Sequence, residues 1–191
     1  MNSLFDTIFY VLVFASVYVQ VFFFVTFLEN RKKIAIRKGS TTLSNYPAVT
    51  IIVPCYNEER TIGKTIESLL GLSYPKEKLK IIVVDDGSTD GTWEAIKNFS
   101  GYSNIESFKK ENGGKYSALN LGLEHTTTDF VGCLDADSVA DKESLVRLMS
   151  YFEKDKSVMA VAPSIVVANP KNLIHCSQNA EYHMSVFIKK M

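Results

Sequence analysis

The sequence is poor in the residues that build disulfide and zinc frameworks. It has three cysteines and three histidines in 191 residues, and no two cysteines form a Cys-x-x-Cys pair. Cys55, Cys133 and Cys176 are odd in number and widely spaced, which is typical of reduced cytosolic thiols. The histidines are dispersed and do not combine with an acid at metal-ligand spacing, so we interpret them as ordinary surface or interface residues. These absences argue against a disulfide-stapled secreted domain and against a zinc site.

Positive charge is scarce outside one short segment. The chain has 21 basic and 21 acidic residues, and five of the basic ones lie between residues 31 and 38. Asp6 and Glu29 are the acids that precede residue 39, so residues 39–191 keep 16 basic and 19 acidic residues, a net charge of about −3. Binding to nucleic acid needs a basic face, so we expect no nucleic-acid partner. A nucleotide ligand held through a metal ion remains compatible with this balance.

Two glycine-rich phosphate signatures are also missing. The chain has no GxxxxGK[ST] sequence, and no GxGxxG sequence follows its first predicted strand, so neither a P-loop nor a dehydrogenase is indicated. A nucleotidyltransferase is disfavoured as well, because no glycine-rich pyrophosphorylase signature is present.

One long apolar run is present at the N-terminus. Residues Leu4 to Leu28 are almost continuously apolar or aromatic, with Asp6 and Gln20 as strong polar exceptions. As a helix, this run would be roughly 37 Å long, against a membrane hydrocarbon core of about 30 Å. A signal peptide is disfavoured, because no basic residue precedes the run and no clear small-residue cleavage site follows it. The sequence therefore predicts a transmembrane helix within residues 1–28; the alternative is a buried helix of a soluble protein.

The basic cluster after this run predicts the orientation of the helix. It forms a juxtamembrane segment and linker at residues 29–47, and nothing basic precedes the helix. The basic residues of the cluster are Arg31, Lys32, Lys33, Arg37 and Lys38. Because cytoplasmic flanks are enriched in lysine and arginine, we expect a single-pass protein of the cell membrane with its N-terminus outside and residues after Leu28 in the cytoplasm. The same cluster suits anionic lipid head groups.

From residue 49 onward, apolar runs alternate with amphipathic segments. Strands are predicted at 49–53, 80–84, 104–108 and 130–134, and helices up to residue 70, after Asp90, at 115–124, after Asp141 and at 171–190. Asp90 and Asp141 are predicted caps, and Pro163 suggests an edge or a break in the apolar stretch 158–167. Strands that are apolar on both faces and separated by helices favour an α/β fold with a mainly parallel sheet. Ligands of such sheets bind beyond the carboxyl ends of the strands, where strand order reverses.

The first predicted strand ends in the sequence VTIIVPCYNE, residues 49–58. Pro54 stiffens the strand exit, Tyr56 offers a flat ring to a nucleobase, and Asn57 and Glu58 offer acceptors for base or ribose groups. The alternative is an ordinary strand-to-helix turn.

The second predicted strand ends in VVDDGSTD, residues 83–90. One of its acids, for which we favour Asp86, is a candidate acceptor of hydrogen bonds from a base or ribose. Turn and cap chemistry explains Gly87, Ser88 and Asp90, but it does not explain the adjacent acid pair Asp85–Asp86.

A glycine pair precedes the helix predicted at 115–124, in the sequence ENGGKYSALNLGL. Gly113 and Gly114 let the backbone approach a ligand closely, and an amide nest beside the Lys115 cation would suit a diphosphate. The alternative is a simple glycine turn.

The fourth predicted strand ends in FVGCLDADS, residues 130–138. In extended backbone, Asp135 and Asp137 would point to the same side, and two close carboxylates repel each other unless a cation lies between them. Carboxylates in small number suit Mg²⁺ or Mn²⁺ shared with a phosphate. The motif therefore predicts a metal–diphosphate site.

Together, in this order, the four motifs resemble those of the family 2 glycosyltransferases, which have the GT-A fold, over about residues 48–170. The resemblance implies transfer of a sugar from a nucleotide-activated donor, with UDP more common than GDP. It implies nucleoside contacts from the first strand and from Asp86, a place near the donor for Lys115, and divalent metal binding by Asp137. The residues it assigns to the nucleotide sugar are Pro54, Tyr56, Glu58, Asp86, Lys115 and Asp135.

The N-terminal helix followed by this domain is similar to the arrangement in membrane polysaccharide synthases of the poly-N-acetylglucosamine, hyaluronan and chitin type. The stretch 178–191 also resembles the segment that precedes the acceptor half of such enzymes. The expected acceptor is a glycan or a lipid. The family's catalytic base lies in a later Glu-Asp pair, followed in synthases by Gln-x-x-Arg-Trp, and neither is matched here.

We therefore expect residues 48–191 to be a donor-binding domain truncated before its acceptor half, which binds a nucleotide sugar better than it transfers it. Two alternatives remain at this point. One is a catalytically incompetent binding fragment or a split subunit whose partner supplies the acceptor half. The other is a polyprenyl-phosphate sugar transferase, which the position of the N-terminal helix disfavours.

Overall fold

Four parallel strands form the centre of the larger of two structural units. A computed structural model describes residues 3–34, 42–168, 170 and 172–189. One unit comprises Ser40–Pro163, and the other comprises Met1–Gly39 together with Ser164–Met191. Residues 35–41, which include part of the predicted basic segment, lie outside the described residues.

The sheet confirms the predicted parallel α/β architecture. Its strands are β1 (Val49–Cys55), β2 (Leu79–Asp85), β3 (Ile105–Lys109) and β4 (Phe130–Cys133). They pair in the order β3-β2-β1-β4, and each of the three pairings is parallel. The chain builds the sheet outward from β1 to β3 and then returns to the other side of β1. The strand order therefore reverses between β1 and β4, and their carboxyl ends border the crevice where such sheets bind ligands.

Helices cover both faces of this sheet. The helices of the larger unit are α2 (Ile62–Leu70), α3 (Thr92–Lys97), α4 (Lys115–Glu124) and α5 (Ser144–Lys154), and a short 3₁₀ turn, Lys76–Lys78, precedes β2. Helices α2, α3 and α5 share one buried cluster with alternate residues of β1 and β2, such as Val53 and Val83. Ala118 of α4 packs on the opposite face against Ile52 and Ile82. Burial on both faces explains why β1 and β2 are nearly continuous apolar runs.

One of the two predicted caps is wrong. Asp141 does not cap α5, because Glu143 occupies the position before the helix and makes no side-chain cap. The Asp141 carboxylate instead accepts the backbone N–H of Glu143 at 3.1 Å. Asp90 lies one residue before the N-cap of α3, Gly91, and its carboxylate accepts the backbone N–H of Thr92, the first residue of α3, at 3.0 Å.

The apolar stretch 158–167 contains no strand. Met159 is 90% exposed and Ile165 is 59% exposed. Pro163 lacks a backbone donor and so weakens strand pairing further. Of the two outcomes that Pro163 suggested, the structure therefore has the break.

The other unit contains the two terminal helices, α1 (Ser3–Ile34) and α6 (Leu173–Lys189). Within α1, the 24 residues from Ser3 to Thr26 form one apolar stretch with no buried residues. By length and composition alone, this stretch could cross a membrane. The helix continues past Leu28, so part of the predicted basic segment is helical as well.

Close packing of α4 on β1 makes Gly122 sensitive to substitution. A Cβ atom at this position would lie 2.5 Å from Cγ2 of the buried Ile52. Alanine favours an exposed helix over glycine by about 1 kcal/mol, but overpacking a core costs about 1–3 kcal/mol. We therefore expect Gly122→Ala to lower the thermal midpoint of the full chain in detergent, measured by circular dichroism.

Gly63 in α2 provides the matched control, because nothing lies within 4 Å of a Cβ added there. Gly63→Ala should leave the midpoint unchanged or raise it, since the unfolded chain loses conformational freedom. Equal midpoints for the two variants would show that the contact between α4 and β1 relaxes without cost.

Candidate functional site

A pocket of about 260 Å³ lies at the carboxyl ends of β1 and β4. Loops after β1, β2 and β4 and the first turn of α4 form its walls. Its lining residues are Pro54, Cys55, Tyr56, Glu58, Asp86, Lys115, Ala118, Asp135, Ala136 and Asp137. The structure therefore brings together at one pocket all seven residues that the family resemblance assigned to the nucleotide sugar and the metal; Asn57, Gly113 and Gly114 do not line it.

Hydrogen bonds join the loop after β1 to the loop after β2. Asn57 has a left-handed backbone with φ 56°, its N–H donates to Ser88 Oγ at 2.9 Å, and its Oδ1 accepts the Thr89 N–H at 2.9 Å. The Asp86 N–H donates to the Cys55 carbonyl at 2.9 Å. The predicted acceptor role of Asn57 toward a ligand is therefore not supported, because its side-chain oxygen serves the neighbouring loop.

Tyr56 and Glu58 lie on either side of Asn57. The Tyr56 side chain is 48% exposed, which leaves ring surface available at the pocket. The Glu58 N–H donates to Thr92 Oγ1 at 2.8 Å, and its carboxylate accepts the Thr61 hydroxyl at 2.5 Å. These bonds hold the Glu58 side chain at the pocket by its own loop and by the first turn of α3.

Asp86 is a buried carboxylate with three intramolecular donors. Its Oδ1 accepts Lys110 Nζ at 2.7 Å and the Gly113 N–H at 3.1 Å, and its Oδ2 accepts the Gly114 N–H at 2.7 Å. Burial raises the pKa of Asp86, but the bonds from Lys110 and the two amides outweigh it and hold the pKa below its ordinary value. The carboxylate is therefore ionised and in one orientation.

The two glycine amides have a different partner from the predicted one. The sequence suggested a nest for a diphosphate, whereas the N–H groups of Gly113 and Gly114 bind Asp86. The glycines are nevertheless needed there, since Gly114 has φ +86° and a Cβ on Gly113 would lie 2.8 Å from Ser117 Oγ. The glycine pair thus supports the acid of the second motif.

Asp135 and Asp137 lie in a turn after β4, not in extended backbone. The Ser138 N–H donates to the Asp135 carbonyl at 3.0 Å, and Thr65 Oγ1 of α2 donates to the Ala136 carbonyl at 2.7 Å. Ala136 is 5% exposed and belongs to the core, while the two acids beside it are exposed to the pocket. Strand alternation therefore does not apply to this pair, which lines the pocket on either side of a buried alanine.

Lys115 forms an ion pair with Asp135 across the pocket. Nζ lies 2.5 Å from Asp135 Oδ1, and both side chains are more than half exposed. The hydrogen bond to Asp135 raises the pKa of Lys115 above its ordinary value. Lys115 is the first residue of α4, so the helix begins with its cation at the acid pair.

The donor set fits a divalent cation only if a ligand completes it. The part of the chain that the structure describes contains no group of three or more His, Cys, Asp or Glu side chains that could hold a metal. The turn after β4 offers Asp137, exposed to the pocket, and Asp135, already paired with Lys115. Mg²⁺ and Mn²⁺ accept carboxylates in small number when phosphate oxygens and water supply the remaining positions.

Two thiols lie at or near the acids. Burial, and then the charge of Asp85, raises the pKa of the Cys55 thiol to about 12. Its Sγ donates to the Val84 carbonyl at 3.3 Å. Burial, and then Asp135, also raises the pKa of Cys133.

Sequence reasoning missed Lys110, Thr65 and Cys55. Lys110 follows β3, and the parallel pairing of Asp85 with Lys109 places the next residue of each strand side by side. The doublets Asp85–Asp86 and Lys109–Lys110 were therefore the available signal. Thr65 donates to the carbonyl of Ala136, which is distant in sequence, so no local pattern indicates this contact.

Comparison with known sequences identifies relatives of this chain. The sequence model described as "Glycosyl transferase family 2" matches residues 50–189. Poly-beta-1,6-N-acetyl-D-glucosamine synthase of Staphylococcus aureus (strain COL) is 33% identical over 147 residues, 76% of this chain and 35% of the relative. The synthase of Staphylococcus epidermidis is 33% identical over 135 residues, which cover 70% and 32%. The chain thus spans about a third of the length of the curated relatives it matches.

Solved structures give the same fold. TarS of S. aureus, residues 1–349 in complex with UDP-GlcNAc, superposes with a TM-score of 0.54 and 25% identity, over 63% of this chain and 38% of that one. The mannosyltransferase PcManGT of Pyrobaculum calidifontis, in complex with GDP-Man and Mn²⁺, superposes with a TM-score of 0.56 and 25% identity, over 81% and 46%. With its GT-A-like sheet and a sequence match over most of its length, the chain belongs to glycosyl transferase family 2.

Proposed function

We propose that residues 48–191 form the donor-binding domain of a membrane-anchored inverting glycosyltransferase. The donor would be a nucleotide sugar, UDP-linked, and the acceptor a polysaccharide or a glycolipid. One observation carries this proposal: the seven residues singled out from four separate sequence motifs line one pocket at the point where strand order reverses. Relatives named as polysaccharide synthases and a neighbour bound to UDP-GlcNAc support the donor class.

The nucleoside would bind at the β1 and β2 side of the pocket. The exposed ring of Tyr56 offers a stacking surface, and Pro54 forms the wall beside it. Glu58 and Asp86 are held as hydrogen-bond acceptors, Glu58 by the Thr61 hydroxyl and Asp86 by the Gly114 amide. A ring face with two oriented acceptors suits a base and a ribose, which present a π-face, N–H groups and hydroxyls.

The diphosphate and the sugar would bind at the β4 and α4 side. Lys115 would contact the phosphates or the sugar, Asp135 the ribose or sugar side, and Asp137 a Mg²⁺ or Mn²⁺ ion. Such an ion supplies charge stabilisation to a leaving diphosphate. Lys115 adds a positive charge that is already oriented toward the same place, so little reorganisation is needed.

In the proposed reaction, an acceptor hydroxyl attacks the anomeric carbon of the donor sugar. The bond from that carbon to the diphosphate oxygen breaks, the configuration inverts, and the hydroxyl proton passes to a base. We assign no base, because each pocket carboxylate already has a binding role in this proposal. This same observation favours a second candidate function, a donor-binding subunit to which a partner chain supplies the base and the acceptor platform.

We further propose that residues 1–28 cross the cell membrane once and that residues 29–47 link this helix to the domain. The apolar stretch Ser3–Thr26 is long enough to span the hydrocarbon core. The lysines and arginines between residues 31 and 38 favour a cytoplasmic position for that flank. The donor-binding domain would then face the cytoplasm, where nucleotide sugars are made.

The donor site predicts metal-dependent nucleotide binding. We expect the full chain in detergent to bind UDP with a lower Kd in the presence of Mn²⁺, measured by calorimetric titration. Asp137→Asn should remove the Mn²⁺ dependence and raise Kd about tenfold or more, since charge-assisted contacts contribute on the order of 1.5–3 kcal/mol.

Asp129→Asn makes the same chemical change at the opposite end of β4, where the residue is exposed and outside the pocket. It should leave both Kd and its Mn²⁺ dependence unchanged. UDP binding that is absent from the unaltered chain, or equal in both variants, would contradict the proposed donor site.

The membrane proposal predicts opposite thiol accessibility on the two sides of α1. In a Cys133→Ser, Cys176→Ser background, Ser3→Cys should react with a membrane-impermeant maleimide on intact cells. Lys156→Cys, at an exposed loop position of the larger unit, should react only after permeabilisation. The reverse pattern would invert the orientation, and two thiols with equal accessibility in intact cells would argue against a membrane-spanning helix.

A further inference from the structure

Two lysine–aspartate pairs lie side by side at the carboxyl ends of β2 and β3. Asp85 and Lys109 are register partners, and Lys109 Nζ lies 3.6 Å from Asp85 Oδ2. One residue further on, Lys110 Nζ lies 2.7 Å from Asp86 Oδ1. Asp86 lines the pocket and Asp85 does not. The structure thus offers two lysine–aspartate pairs of the same charge: a hydrogen-bonded pair at the pocket, and a longer pair outside it.

The hydrogen bonds of Asp86 leave one acceptor direction open. A carboxylate has about four lone-pair sites. On Oδ1, both sites are used, by Lys110 Nζ and by the Gly113 N–H. On Oδ2, the Gly114 N–H uses one. The second lone-pair site on Oδ2 accepts no hydrogen bond from the described residues. Asp86 is 3% exposed and lines the pocket, so this is the site left for a ligand.

We propose that Lys110 is a positioning residue that keeps Asp86 ionised and oriented, so that the open site on Oδ2 accepts an N–H or O–H of the nucleoside. This inference rests on the proposed function, in which Asp86 binds the donor. Lys110 itself does not line the pocket, so it would act through Asp86. Its ammonium also donates to the carbonyl of Glu111, which holds it to the backbone of the loop after β3.

The charges around Asp86 explain why a cation is needed there. Burial alone disfavours a carboxylate. The other titratable side chains that line the pocket are Cys55, Tyr56, Glu58, Lys115, Asp135 and Asp137, and Lys115, the one cation among them, is paired with Asp135. Asp85 lies next to Asp86 and is paired with Lys109 outside the pocket. Without Lys110, Asp86 would keep two amide donors but no charged partner. Its pKa would rise, and a protonated Asp86 offers a donor where the nucleoside needs an acceptor.

The sign of the pH dependence follows from this. In the unaltered chain, the pKa of Asp86 is below its ordinary value, so Asp86 remains ionised from about pH 8 to about pH 5.5. In Lys110→Met, the pKa of Asp86 moves up, so the ionised fraction of Asp86 decreases more than in the unaltered chain as the pH falls. The terminal phosphate of UDP also titrates near pH 6. This changes the Kd of every variant equally, so it cancels when the Kd of a variant is divided by the Kd of the unaltered chain.

The test measures UDP affinity of the full chain in detergent, with Mn²⁺, at about pH 8 and about pH 5.5. We expect Lys110→Met to raise Kd about tenfold at the higher pH. The ratio of its Kd to that of the unaltered chain should increase further at the lower pH. Lys110→Arg should have a Kd within about threefold of that of the unaltered chain at both pH values, because arginine keeps the positive charge. Lys109→Met is the matched control and should stay within about twofold at both pH values.

A second variant covers loss of folding. If the thermal midpoint shows that Lys110→Met is unfolded, Lys110→Gln replaces it, because glutamine keeps a neutral donor beside Asp86. The ratio of its Kd to that of the unaltered chain should still increase toward low pH. The positioning role alone would be overturned if folded Lys110 variants bound UDP with the Kd of the unaltered chain at both pH values. It would also be overturned if the Lys109 and Lys110 variants lost UDP affinity equally. Absence of UDP binding by the unaltered chain would overturn the proposed function and this inference with it.

Discussion

The register of β1 with its two neighbours determines where every polar group of the pocket lies. Cys55 pairs with Asp85 on one side, so the residues that follow, Tyr56 and Asp86, leave the sheet together. On the other side β4 ends at Cys133, opposite Ile52, three residues before β1 ends. The chain after β4 therefore has room to turn beside the end of β1. The pocket is the space between a long central strand and a shorter neighbour.

Within that space, electrostatics explains the pattern of contacts. Four carboxylates line the pocket, and among the described residues one lysine is paired with Asp86 and another with Asp135. Glu58 is hydrogen bonded to Thr61, and Asp137 lies at the exposed end of its turn. The pocket is thus neutralised at Asp86 and at Asp135 by lysines and left acidic at Asp137. An anionic diphosphate would be repelled there, which is the physical reason for expecting a divalent cation with it.

The elements of the larger unit were predictable because their signals are local. Apolar runs buried on both faces predict β1 and β2 to within two residues, and the predicted bounds of α4 are those observed. The seven assigned pocket residues were predictable as a set because their motifs lie at strand ends or at the start of a helix and together resemble those of one family. The contacts were not, because they join loops distant in sequence: Asn57 bonds the loop after β2, the glycine amides bond Asp86, and Thr65 holds Ala136. Asp141 shows the converse error, in which a good local cap sequence was used for a turn instead.

The raised pKa of Cys55 has a consequence for the chemistry that the site can undergo. A thiol with a pKa of about 12 is almost never a thiolate at neutral pH, and the thiolate is the form that reacts with electrophiles and oxidants. The neighbouring carboxylate of Asp85 contributes to this shift, and Asp135 does the same for Cys133. Burial and the neighbouring acids therefore keep the Cys55 thiol protonated. A covalent inhibitor aimed at Cys55 would meet the unreactive form.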